Sequence, residues 1–259
     1  MQTLHQERKS TMDLLHMILL FGTGAVAGFI NVNAGGGSSL TLPALYFMGL
    51  DWAVANGTNR IALILQNIFA VGSFHKNKVF EFRSGLALAV FTLPGAVLGA
   101  VLATRISGVT FQRILGAALI LIVVSMFFSR SYQLDNERRG RRRSLLIYPA
   151  LFAIGFYGGF IQVGVGFLFM AALYHLLREN LIKVNMHKVF IILIYTVAAL
   201  AVFALTGNVH WRFGLVLAAG NALGGWWGAH FAVKGGEKFI RIVLGVGILL
   251  IALKLFNAF

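Results

Sequence analysis

The chain has 259 residues, no cysteine and a formal net charge of +14, with 58% hydrophobic and 12% charged residues. A mean hydropathy of +0.82 and apolar runs without polar interruptions read as an integral membrane protein, and the missing cysteines exclude disulfides and thiolate metal sites. Nucleic acid is a weak reading of the charge, because the excess Lys and Arg lie in short loops between apolar runs, as the positive-inside bias places them.

The first apolar run, 14–30, ends near Ala25-Val26-Ala27, which has the look of a signal-peptide cleavage site. A segment of the same type recurs at 145–161, where cleavage has no meaning, so the run reads as a membrane segment. The expected segments of the first half are 14–30, 38–50, 59–74, 85–104 and 110–128. Those of the second half are 145–161, 164–177, 184–206, 212–233 and 238–256. The expected fold is all-α and membrane-embedded. It has a first transmembrane repeat over 1–128, an Arg-rich linker over 129–147 and a second repeat over 148–259. The linker carries six Arg with Asp135 and Glu137, and reads as a solvated topology signal that touches lipid head groups.

Two-fold repetition is visible in the glycines. Gly85, Gly99 and Gly116 recur as Gly214, Gly228 and Gly245, an offset of 129 residues. Phe82-Arg83-Ser84-Gly85-Leu86 pairs with Trp211-Arg212-Phe213-Gly214-Leu215. A duplicated apolar chain points to a transporter built from two related halves.

The second segment of each half is too short to cross a bilayer comfortably, since a spanning helix needs about 20 residues. Before it the chain breaks, at Asn31 to Gly37 in one half and Gln162 to Gly166 in the other. Short, glycine-interrupted segments at matching places are the best sequence pointer to a transport site. A re-entrant hairpin and two tilted helices both fit the pattern. Charge sets an expected orientation. With the linker cytoplasmic, fifteen Lys and Arg lie on that side and seven on the other. Both termini are then outside, and the two repeats are inverted.

All eight carboxylates lie in or beside loops, which disfavours a cation site or a carboxylate relay inside the membrane. Amide, hydroxyl and basic groups without acids suit an anion. The candidate set is Asn31, Asn33, Gly36, Gly37, Ser38, Ser39, Asn59 and Arg60 in the first half, with Gln162, Gly164, Gly166, His187 and Lys188 in the second. Backbone N–H groups at the glycine breaks, at the positive end of a helix dipole, could cradle an anion. The alternative is that these glycines serve close helix packing, which is the main reading for Gly85, Gly99, Gly214 and Gly228. Arg60 and Lys188 occupy equivalent places in the two halves, where snorkelling to the interface competes with a binding role. Asn31, Asn33 and Gln162 could instead satisfy carbonyls freed at the breaks, and Gln66, Asn67 and Asn221 read as bridges between helices. His75, His175, His210 and His230 show no metal-ligand spacing, so neither a metal nor a cofactor is expected.

The chain resembles the sulfite exporter TauE/SafE family of membrane permeases over nearly its whole length. The resemblance rests on Gly28-Phe-Ile-Asn-Val-Asn-Ala-Gly-Gly-Gly37 followed by Leu42-Pro43, on Gly57-Thr58-Asn59-Arg60, and on Phe91-Thr-Leu-Pro-Gly-Ala-Val-Leu-Gly-Ala100. The family usually has Ser or Thr-Ser before the basic residue, whereas this chain has Thr58-Asn59-Arg60 and Met186-His187-Lys188. The resemblance implies transport of sulfite, sulfonates such as sulfoacetate, or related sulfur anions. Composition alone favours an anion over a cation, and the full reading is a secondary transporter that moves a small anion across the inner membrane by alternating access, with its site between the two breaks. An anion channel is the second reading, and an enzyme is disfavoured because the acids are loop-bound. The expected partners are a small anion and the lipid bilayer, not nucleic acid, with room left for a homodimer. A coupling proton could ride on His187 or on the substrate.

Overall fold

The computed structural model describes residues 2–117, 144–177 and 179–256. The end of the expected segment 110–128 and most of the Arg-rich linker lie outside the described residues. Among the described residues the chain is helical, without strands. The helices are α1 (Gln2–Asn33), α2 (Ser38–Phe47), α3 (Trp52–Lys76), α4 (Phe82–Ala103), α5 (Ile147–Phe160), α6 (Val165–Leu177), α7 (Leu181–Leu205) and α8 (Trp211–Phe256). Residues 108–117 are also helical. The expected segments 212–233 and 238–256 join in α8, which breaks between them at Gly236, where φ is 64°. Among the described residues, 14–33, 82–103 and 181–205 are long and apolar enough to cross a membrane.

The short segments fold back. A Cβ on Gly37 would stand 2.2 Å from the Ala27 carbonyl oxygen, and Leu40, Pro43 and Phe47 share an apolar groove with Ile18, Gly22 and Val26. As α2 advances, its neighbours on α1 therefore recede, which makes α1–α2 a hairpin. In the second half Ser144 N donates to the Leu176 carbonyl (3.2 Å), so the start of α5 meets the end of α6. Each short helix thus folds back along the helix before it. Gly35, with φ of 89°, turns the first tip in a conformation only glycine adopts freely.

The halves interlock by exchange. Helix α1 packs along α8, and α5 packs along α4. Glycines line both contacts, since a Cβ on Gly99 would lie 2.1 Å from the Phe156 carbonyl and one on Gly224 2.0 Å from that of Ala25. Where small residues let backbones approach this closely, dispersion packing holds membrane helices together. A Cβ on Gly85 would stand 2.6 Å from the Phe190 ring and one on Gly214 2.5 Å from the Ile61 side chain, two close approaches that map onto each other under the repeat offset. Packing, the expected role of Gly85, Gly99 and Gly214, is what these positions do.

Symmetry fails by one turn. Gly28-Phe-Ile-Asn31 aligns with Gly159-Phe-Ile-Gln162, yet α1 continues to Asn33 while α5 stops at Phe160. Helix α1 is thus a turn longer at its tip, about 5.4 Å. Its contacts with α8 slide by the same amount. Gly99 faces Phe156, but its counterpart Gly228 faces Phe29 rather than Ala25.

Candidate functional site

The two hairpin tips meet in the centre of the fold. A Cβ on Gly35 would stand 2.3 Å from the Gly166 Cα, and one on Gly166 equally close to the Gly35 Cα. The glycines of the two breaks are therefore in backbone contact with each other. Asn31 fixes the first tip from inside. Its carboxamide oxygen accepts from Gly37 N at 3.3 Å, and its Nδ2 donates to Gln66 Oε1 at 3.1 Å. Asn221 from α8 donates to the same oxygen at 3.4 Å. Asn33 reaches across the halves, donating to the Gly228 carbonyl at 3.2 Å, and its own side-chain oxygen is buried without a partner. In the second half Gln162 donates to Thr196 Oγ1 at 3.1 Å, and Tyr195 stands beside both. Asn31 and Gln162 are thus each tied to the middle of their own half's long helix.

Backbone donors at the tips are partly spent. Ser39 N and Leu40 N donate to the carbonyls of Gly36 and Gly37, each at 3.0 Å, and Phe167 N donates to that of Gly164 at 3.0 Å. Ser39 Oγ donates to the Gly36 carbonyl at 2.7 Å. The amides of Gly36 and Ser38 make none of these bonds. Ser38 Oγ accepts from Asn59 Nδ2 at 3.3 Å, and Thr41 donates to Asn59 Oδ1 at 2.7 Å. Asn59 is therefore held against the start of α2.

Arg60 and Lys188 lie in the second turn or beginning of the third turn of α3 and α7, about 12 Å along their helices at 1.5 Å per residue. Both are fully buried, so neither snorkels to the interface. Arg60 donates to the Gly159 carbonyl at 2.5 Å, to that of Gly158 at 3.2 Å and to Asn56 Oδ1 at 3.4 Å. Its guanidinium lies 4.6 Å over the Phe203 ring. Lys188 donates to the carbonyls of Val32 and Asn31, the latter at 3.4 Å. Each half's basic residue thus caps the C-terminal end of the first helix of the other half, where the helix dipole is negative. The one-turn difference reappears here, because Lys188 binds four residues further along than Arg60 does. Among the described residues neither cation has an ion-pair partner, and no carboxylate is fully buried. A fully buried charge without a counter-charge is costly, and here the helix-end carbonyls and dipoles offset part of that cost.

His187 stands apart from the tips. Its buried ring lies 3.2 Å from Glu179 Oε2 and 3.9 Å from Glu81 Oε2. The acids were expected in or beside loops, but Glu7 and Asp13 lie within α1 and Glu237 within α8, and Glu179 and Glu81 fold against a buried imidazole.

Sequence reasoning missed Asn56, Tyr195, Thr196 and Asn185. Asn56 donates to the Phe160 carbonyl at 2.8 Å, and both amide atoms of Asn185 are buried without a partner. Asn56 was within reach of the sequence, since it sits one turn before Arg60 on the same helix face. Tyr195 and Thr196 lie in an apolar run with no local signal.

Sequence comparison places the chain among membrane transporters. The family model described as sulfite exporter TauE/SafE matches residues 20–255. A "Probable membrane transporter protein" of Haemophilus influenzae is 32% identical over 89% of this chain and 89% of its own. "Probable membrane transporter protein YfcA" of Escherichia coli K12 is 30% identical over 86% of this chain and 83% of its own. "Probable membrane transporter protein ORF9" of a Sinorhizobium species is 29% identical over 92% of both chains. No solved structure matches. The paired glycine breaks, the interlocked halves and a match across almost the full length make the chain a member of the sulfite exporter TauE/SafE family of membrane transporters.

Proposed function

We propose that the protein is a secondary transporter of a small anion, a sulfur oxyanion or an organosulfonate such as sulfite or sulfoacetate, and not an enzyme. The observation that carries this reading is the pair of fully buried cations, Arg60 and Lys188, with no counter-charge among the described residues. A cation substrate would be repelled there. An anion near the touching tips would take over bonds that the helix-end carbonyls now supply, while Asn31, Asn33, Gln162 and the amides of Gly36 and Ser38 orient it. The family name supports a sulfur anion.

Alternating access is part of the proposal, and two hairpins that meet at one point between interlocked halves support it. Inversion of the repeats is part of the proposal. It is supported by helix direction. The start of α3 meets the end of α7, where His210 N donates to Thr58 Oγ1 at 2.8 Å. The start of α7 meets the loop after α3, where Lys183 bonds Glu81 at 2.6 Å. Repeat-related α3 and α7 therefore run antiparallel. On this reading the protein is a multi-pass inner-membrane protein with both termini outside and the Arg-rich linker in the cytoplasm.

The experiment is counterflow in proteoliposomes with labelled sulfite, sulfoacetate and a dicarboxylate. A carrier accumulates label transiently against unlabelled anion on the other side. A channel for the same anions gives flux without that overshoot, and the absence of any protein-dependent anion flux would overturn the proposal.

A further inference from the structure

The half-two counterpart of Asn59 is His187, and the two lie in different chemistry. Asn59 is held by neutral hydroxyls, at 2.7 Å to Thr41 and 3.3 Å to Ser38. His187 is fully buried and faces two carboxylates, Glu179 at 3.2 Å and Glu81 at 3.9 Å. The two acids are themselves partly open to water, at 20% and 39% exposure. A buried imidazole is thus joined to solvent through acids. Neither ring nitrogen completes a hydrogen bond among the described residues, and at 3.2 Å a small ring rotation is enough to make one with Glu179.

The other charged groups at this end are accounted for. Lys183 occupies the second oxygen of Glu81 at 2.6 Å. Glu237 of α8 receives Leu181 N at 3.4 Å. Lys188, the next residue, turns to the carbonyls of Asn31 and Val32. Among the described residues no group of three His, Cys, Asp or Glu side chains could hold a metal. Imidazole is the side chain whose charge ordinarily changes between about pH 5 and 8.

We propose that His187, with Glu179 and Glu81, is a proton-binding site linked to anion binding at the neighbouring Lys188. The proposal rests on the anion reading above. Uptake turns imidazole and a proton from water into imidazolium, and release returns that proton to water, with no other bond changed. The added positive charge beside Lys188 favours a bound anion, and by reciprocity a bound anion favours the proton. Half one, with Asn59 in this place, has no such site, so the coupling belongs to one half only.

The test measures exchange of labelled sulfoacetate and of labelled sulfite in proteoliposomes at equal pH on both faces, from about pH 5 to 8. The sulfonate charge of sulfoacetate is fixed over this range, which separates titration of the protein from that of the substrate. Wild type and His75→Gln are expected to show a severalfold fall in half-saturating sulfoacetate as pH drops. His187→Asn and Glu179→Gln are expected to give half-saturation that is flat with pH, whatever their absolute rates. A pH-flat wild type, or a pH profile retained in both His187→Asn and Glu179→Gln, overturns the proton site while leaving anion transport standing. No flux of either anion in wild type removes the anion reading, and this proposal with it.

Discussion

Arg60 donates to the Gly159 carbonyl at 2.5 Å across the boundary between the two halves. Lys188 makes the repeat-related contact in the other direction, to Val32. Each cation is held by a helix end rather than by an acid, which is the arrangement expected if the charge is kept for a ligand. Stability and transport should therefore separate. Replacing a buried ion pair by apolar groups of similar volume is often neutral or stabilising by about 1–4 kcal/mol, and a lone buried charge, with no Coulomb partner to lose, is costlier to keep. Arg60→Met and Lys188→Met are expected to hold or raise the thermal midpoint in detergent while abolishing anion flux. A loss of several kcal/mol with flux retained would make them structural caps only.

The contact between Gly35 and Gly166 sets a second expectation. Gly166→Ala would put a Cβ 2.3 Å from the Gly35 Cα, where only backbone can give way. Gly35→Ala adds a left-handed conformation, which costs a residue with a Cβ about 1–2 kcal/mol. Both should lower the thermal midpoint clearly. Gly22→Ala, which meets nothing within 4 Å, should leave it unchanged, as differential scanning fluorimetry of the three variants would read.

Gln66 accepts from both Asn31 (3.1 Å) and Asn221 (3.4 Å). Gln66→Leu leaves two buried amide donors unsatisfied, at a cost of about 1–3 kcal/mol. A double-mutant cycle of Gln66→Leu with Asn31→Leu should give a coupling of about 0.6–1.7 kcal/mol, the range for membrane hydrogen bonds. A coupling near zero would show that Asn31 is positioned by its bond to Gly37 alone.

Lys183 and Glu81 join the start of α7 to the start of α4 at 2.6 Å, but both are partly exposed, at 43% and 39%. Pairs of this kind contribute about 0–1 kcal/mol. Lys183→Gln should therefore change the thermal midpoint little, and a large loss would mean that this contact carries the closure of that end.

Much of this was legible in the residues. The glycine offset identified the repeat, and Gly85 and Gly214 do meet matched partners, Phe190 and Ile61. The breaks at Asn31 to Gly37 and Gln162 to Gly166 marked the tips, because glycine-interrupted short helices at matching places of a repeat point to a shared central site. What was not legible is long-range. Nothing local says that α1 runs a turn past its counterpart, because helix length there is decided by packing against α8. Nothing local says that Arg60 and Lys188 cap each other's halves, since the carbonyls they bind come from residues 98 and 156 positions away. Counting acids in loops missed that Glu7, Asp13 and Glu237 are helical, and it could not reveal that Glu179 and Glu81 converge on His187.

The central claim is that Arg60 and Lys188 are the charges that bind the anion, and the most direct measurement is anion-dependent thermal stabilisation. Sulfite, sulfoacetate, a dicarboxylate and a matched cation series would be titrated onto wild type, Arg60→Met and Lys188→Met. Ligand at 100 times its dissociation constant stabilises the folded state by about 2.7 kcal/mol. The account predicts that shift for at least one anion on wild type, and its loss in both variants. Stabilisation that survives in both variants, or that only cations produce, would contradict it.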